Sequence, residues 1–136
     1  MIFLDQVPGT HRLRTISSVG EVFPLTTTAN GKACLALLPP ERAQALARAE
    51  SDRRGMNLDP EAFEAELAEI RETGLAFDRD EHTEGISAIG IGFHDWSGDL
   101  HAISVPVPSS RFGASEGRVR KAILKTRAHV TKLMER

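Results

Sequence analysis

Hydrophobic positions change their period twice along this chain. Up to residue 23 they come in short β-branched and aromatic runs. "MIFLDQV" (Met1–Val7) is closed by Pro8-Gly9, and in "HRLRTIS" (11–17) Leu13 and Ile16 alternate with Arg12 and Arg14. Both read as strands, and "SVGE" after them reads as a turn. The middle third then shifts to helical spacing. "GKACLALL" is a helix body that Thr28 or Asn30 can cap, and Pro39-Pro40 stops it because proline cannot extend the helical ladder. Pro40 also suits the first position of a second helix, "PERAQALARAESDRR", which ends before Gly55. "LDPEAFEAELAEIRETG" carries the clearest signals. Asp59 is its N-cap, Pro60 its first turn and Gly74 its left-handed stop, with Phe63, Leu67 and Ile70 as the buried stripe.

After Gly74 the period becomes two. "LAFDRDE" is a strand, and "SAIGIGFHD" and "LHAISVPV" flank "WSGD" as a hairpin. A last helix is expected after "SSRFGASEG", aligning Val119, Ile123, Val130 and Leu133 or Met134. Strands, two or three helices, three strands and one helix describe an α+β domain, an antiparallel sheet with helices packed on it, and not an alternating parallel fold.

The chain's 136 residues suit one domain, 1–136, with a modest core. No run approaches the roughly 18 apolar residues of a membrane span, and the first residues lack the basic start of a signal peptide. The expectation is a cytoplasmic protein without membrane contact. A net charge of -2, with Lys and Arg spread among acids, argues against nucleic-acid binding by this chain itself. The locally basic last helix interleaves its charges with apolar positions, as a solvated helix face does. The single cysteine, Cys34, lies in an apolar block and reads as a small buried side chain.

Familiar catalytic and cofactor motifs fail on spacing. "TTTANGK" lacks the earlier glycine of a phosphate loop, and Ala33 follows Lys32 where Ser or Thr would hold magnesium. Gly90 and Gly92 sit inside a strand, so no dinucleotide fingerprint opens a helix. His94 and His101 flank the hairpin loop but have no third ligand near them, and no nucleophile elbow exists. No metal, cofactor or enzymatic activity is expected, although Asp78 or His82 could act as a base in a small enzyme of this fold. What stays open is binding. The helix start at "TTTANGK" offers unpaired amides and a positive dipole end, and the small residues Ala29 and Gly31 allow close approach. A plain capped helix is the competing reading.

Taken together, "FPLTTTANGKACLALLP" and "LAEIRETGLAFDRDEHTEGISAIGIGFHDWSGDLHAISVPVPSSRF" resemble the effector-binding domain of IclR-type transcriptional regulators. The shared features are a small-residue G-K-A helix start with a Leu-Pro stop, then I-R-x-x-G, a D-x-E…E-G strand entrance, a hairpin and S-R-F. "IFLDQV" matches the strand that precedes these blocks. The resemblance covers nearly the whole chain and implies a GAF- or profilin-like sensor domain for a small organic or aromatic acid. It further implies a homodimer or homotetramer that contacts DNA only through a helix-turn-helix absent from this chain. The "IFLDQV" edge is a candidate for cover by a partner chain.

Carried over by position, the resemblance places the ligand pocket at Thr28, Ala29 and Asn30, with Gly31 completing the amide cluster. It adds Asp78, Ile86, Ala88, Ser104 and Pro106, with Phe23 as an apolar wall. In this picture the amides and the Ser104 hydroxyl donate to a carboxylate, Asp78 accepts from a ligand hydroxyl or water, and Phe23 and Ile86 bury the carbon skeleton. Pro106 and Ala88 stand where relatives often have hydroxyl or thiol side chains, which leaves fewer donors than a carboxylate site usually has. A ligand-free dimerisation module derived from the same domain is the alternative.

Overall fold

The computed structural model describes residues 1–10 and 19–135. The strand expected at 11–17, with His11, lies outside them. The described chain contains helices α1 (Ala29–Leu35), α2 (Pro40–Arg54) and α3 (Pro60–Thr73). Strands β1 (Ala76–Arg79), β2 (Ile86–His94) and β3 (Leu100–Pro108) follow, and helix α4 (Ser109–Met134) closes the order.

The helix boundaries follow the local chemistry. The Asp59 carboxylate accepts from the N–H groups of Glu61 and Ala62 at 3.1 and 3.2 Å, and Pro60 opens the first turn of α3. Gly74 and Gly55 end α3 and α2 in the left-handed region, at φ 78° and 64°. Of the two candidate caps for α1, the structure uses Thr28, whose hydroxyl accepts from Gly31 N–H at 3.0 Å.

Two expectations are corrected. The Met1–Val7 run forms a single bridge, Ile2 to Val22, supported by backbone bonds from Phe3 N–H to Glu21 and from Phe23 N–H to Met1, both 2.9 Å. Ile2, Leu4 and Val22 stay 61–73% exposed, so β-branched composition alone builds no regular strand there. The last helix begins at Ser109 and not after Gly117. Gly113 and Gly117 have open space where a side chain would stand, and the helix absorbs both.

The sheet is an antiparallel meander, β1-β2-β3, with Asp78 opposite Ala88 and Ala88 opposite Pro106. In the next row Ala76 faces Gly90 and Gly90 faces Ser104. Because side chains alternate faces, Ile89, Ile91, Val105 and Phe77 turn to one side, where they pack with Phe112, Val119 and Ile123 of α4. The other face is built from small residues and carries α1, with α2 and α3 stacked on it through Ala33, Leu35, Ala43, Ala47, Phe63, Leu67 and Ile70. Three layers result: α4, the sheet, and the helical trio.

α1 lies very close to β2. A side chain on Gly90 would stand 3.1 Å from Ala29, and one on Gly92 would stand 2.8 Å from the Ala33 carbonyl. The helix therefore runs along β2 from Gly90 towards Gly92. Its N-terminal end stops short of the row Asp78–Ala88–Pro106.

Candidate functional site

The sheet face that carries α1 collects five of the ten residues expected to form a pocket. Asp78, Ile86, Ala88, Ser104 and Pro106 all share the α1 face of the sheet by register. Asp78 and Ala88 are buried, Ile86 and Ser104 half-buried, and Pro106 exposed. Phe23 lies beside the entrance. Its ring contacts Phe3 at 5.3 Å and the His82 ring at 5.0 Å, bracing the β1–β2 loop that follows Asp78.

At the helix start one amide of the envisaged carboxylate cradle is already taken. Thr28 donates its hydroxyl to the Pro24 carbonyl at 2.7 Å while accepting from Gly31 N–H. The Gly31 amide is thus already paired. Ala29 is buried against Gly90, and a side chain at Gly31 would stand 2.6 Å from the Leu25 carbonyl carbon. Both small residues serve close packing of helix on strand and loop. With seven residues, α1 is also a short dipole. Asn30 is the exception. Its Oδ1 is buried without a hydrogen-bond partner.

Asp78 sits where a lone carboxylate is expensive. Burial pushes its pKa above the usual aspartate value, and the neighbouring Glu81 charge adds to that, while N–H bonds from Glu81 and His82 and the charge of Lys32 oppose it. The Glu81 amide donates to Asp78 at 2.8 Å.

Sequence reasoning missed the two groups that organise this region. Lys32 is wholly buried, and its ammonium holds Glu66 of α3 and Glu81 of the β1–β2 loop, each at 2.6 Å. In the sequence it figured only as a failed phosphate-loop lysine. Its position one turn after the Thr28 cap, on the side of α1 facing acidic α3, was the available signal. Glu50 of α2 is the second. It accepts from Leu25 N–H, Thr26 N–H and the Thr26 hydroxyl at 2.7–2.8 Å, pinning the segment that leads into α1. Burial would raise its pKa, but these bonds outweigh that and hold it below the ordinary glutamate value.

Other candidate chemistry does not assemble. His94 pairs with Leu100 while His101 pairs with Phe93, so the one-residue offset sends the two histidines to opposite faces. His101 instead stacks on Phe93 and binds Asp95 at 2.8 Å. Among the described residues no three metal-ligating side chains converge. Burial raises the Cys34 thiol to about 11, which removes it as a nucleophile. An open cleft of about 230 Å³ lies between the Thr26-Thr27 segment and the first turns of α3, but none of the expected pocket residues lines it.

A three-stranded antiparallel sheet with the short α1 and the α2–α3 pair on one face and α4 on the other is an α+β domain. Residues 1–132 match the family profile described as "Bacterial transcriptional regulator IclR C-terminal". The chain belongs to this family. It is 48% identical over 123 residues to the HTH-type transcriptional regulator Rv1719 of Mycobacterium tuberculosis, covering 89% of this chain and 48% of that protein. It is 29% identical over 134 residues to the regulator TtgV of Pseudomonas putida, covering 98% and 51%. In fold it superimposes on an IclR transcriptional regulator from Alicyclobacillus acidocaldarius with a TM-score of 0.82 at 24% identity, covering 98% of this chain and 56% of that one. The chain spans about half the length of the curated relatives it matches. No helix among the described residues is long and apolar enough to cross a membrane.

Proposed function

We propose that this domain senses a small organic molecule and assembles into a homodimer or homotetramer within a cytoplasmic transcriptional regulator, DNA being contacted by a separate helix-turn-helix. The observation that carries the reading is the row ahead of α1. By register the desolvated Asp78 stands beside the small Ala88, with the half-buried Ser104 and Ile86 on the same sheet face, and the Phe23 ring meets His82 in the loop after Asp78. Thr28, Ala29, Asn30 and Gly31 form the back of this site, Asn30 through its side chain and the others through packing. Pro106 forms its outer rim. Assembly is supported by the apolar Ile2, Leu4 and Val22 left exposed on the N-terminal bridge.

The test is thermal unfolding against a broad panel of small metabolites. A ligand that binds only the folded state stabilises it by roughly 2.7 kcal/mol at a hundredfold excess over Kd. A saturable rise in Tm that is lost in Ser104→Ala and in Asn30→Ala places the ligand here. A panel that moves nothing, or a shift indifferent to both substitutions, removes the assignment.

A further inference from the structure

We infer that the site selects an uncharged ligand bearing hydroxyl or N–H donors and discriminates against carboxylates. The inference rests on the sensing reading above and concerns the charge class of its ligand.

Four observations carry it. First, the charges that the described residues place around the row do not favour an incoming anion. Asp78, Glu81 and Glu66 surround one ammonium, that of Lys32, which is wholly buried and already bound to the two glutamates at 2.6 Å. No share of that cation is left for a ligand carboxylate, and the local sum remains negative. Second, the next arginine along β1 is turned away. Arg79 lies over the Phe77 and Phe112 rings on the α4 side of the sheet and pairs with Glu116 at 3.0 Å. Third, one of the amides that should have held an anion is committed, because Gly31 N–H is bonded to Thr28, whose own proton goes to Pro24. The flanking sheet positions Ala88 and Pro106 add no side-chain donor. Fourth, two acceptors belong to the proposed site. Asn30 Oδ1 is buried and unpaired, and Asp78 is a buried carboxylate with only backbone N–H groups bonded to it. Burial already raises the Asp78 pKa, so a donor would relieve it and a second carboxylate would worsen it.

Matched pairs in which CH₂OH replaces a carboxylate decide the matter: benzyl alcohol against benzoate, and propane-1,2-diol against lactate, titrated calorimetrically into the intact domain at pH 7. The alcohol of at least one pair is expected to bind about tenfold or more tighter than its acid, a ratio set by carboxylate repulsion at close range. Asp78→Asn and Glu81→Gln, which preserve side-chain shape, should each narrow that ratio several-fold. A carboxylate that binds tighter than its alcohol in the unaltered domain overturns the inference while leaving the sensing reading in place. So does a preference for the alcohol that neither substitution narrows. Absence of binding by every member of both pairs and by the metabolite panel overturns the sensing reading, and this inference with it.

Discussion

At Gly31 and Gly113 the same substitution has opposite consequences. Alanine is intrinsically the better helix former by about 1 kcal/mol. In α4, where nothing lies within 4 Å of Gly113, Gly113→Ala should raise stability by about 0.5–1 kcal/mol. In α1 the new methyl group would overlap the Leu25 backbone, so Gly31→Ala should lower stability by about 2–3 kcal/mol, measured by urea unfolding. Lys32→Met removes the cation that, among the described residues, pairs with both Glu66 and Glu81. Both glutamates keep about a third of their side-chain surface in water, so the loss should be about 2 kcal/mol, below the 3–5 of a fully buried pair.

The two perturbed acids act with opposite sign on pH dependence. The folded-state pKa of Glu50 is depressed, so its stabilisation is fully present above the ordinary glutamate value of 4.5 and is lost as pH falls through the folded value. Glu50→Gln should cost about 1.5–3 kcal/mol at pH 7 and leave the acid limb of the unfolding curve shallower. The pKa of Asp78 is raised, so its favourable contribution exists below the ordinary 3.8 and disappears as pH rises through the folded value. Asp78→Asn should therefore raise Tm at neutral pH while weakening ligand selection. A site residue that lowers the stability of the free domain is what a binding role would leave behind.

At the scale of elements, the β1–β2 loop is the joint of the domain. Glu81 ties it to α1 through Lys32. Asp80, held at a φ of 57°, accepts from Gly85 N–H and from the Ser109 hydroxyl at 2.7 Å, and Ser109 Oγ also lies 2.9 Å from Ser87 Oγ. The loop beside Asp78 is thus fastened to the first turn of α4, a helix of 26 residues. Ser109→Ala removes both side-chain bonds and should cost about 1–2 kcal/mol. Hydrogen exchange should then rise first in residues 80–86 and the start of α4, and much less in α2 and α3.

At the scale of the molecule, the sheet separates two cores. One lies under α4 and is rich in branched side chains, while the other joins the alanines of α1 and α2 to Leu35, Phe63, Leu67 and Ile70, and the glycines of β2 let α1 close on the sheet. The second face admits a helix at close range, and the row ahead of that helix is the proposed ligand site. Ile2, Leu4 and Val22 are exposed on the N-terminal bridge, and the proposed self-association would use this apolar edge. Leu4→Glu, on a residue 71% exposed, should shift sedimentation towards the monomer without lowering the melting temperature of the dissociated chain.

Local chemistry by itself determined the helices with caps and prolines, the Gly74 stop, the hairpin around "WSGD" and the two-period alternation of β2 and β3. Each of these depends on neighbours a few residues away, so the order of residues suffices to reveal them. The grouping of Asp78, Ala88, Ser104 and Pro106 on one face could be anticipated only through the family resemblance, because strand register joins residues far apart in the chain. Tertiary structure alone decided that Ala29 and Gly31 pack against protein, that Lys32 is buried between two glutamates, that Glu50 pins the approach to α1, and that the histidines part across the hairpin. Those outcomes rest on distances of a few ångströms between elements and on which charges share a desolvated space. Neither quantity is written in the spacing of residues along the chain.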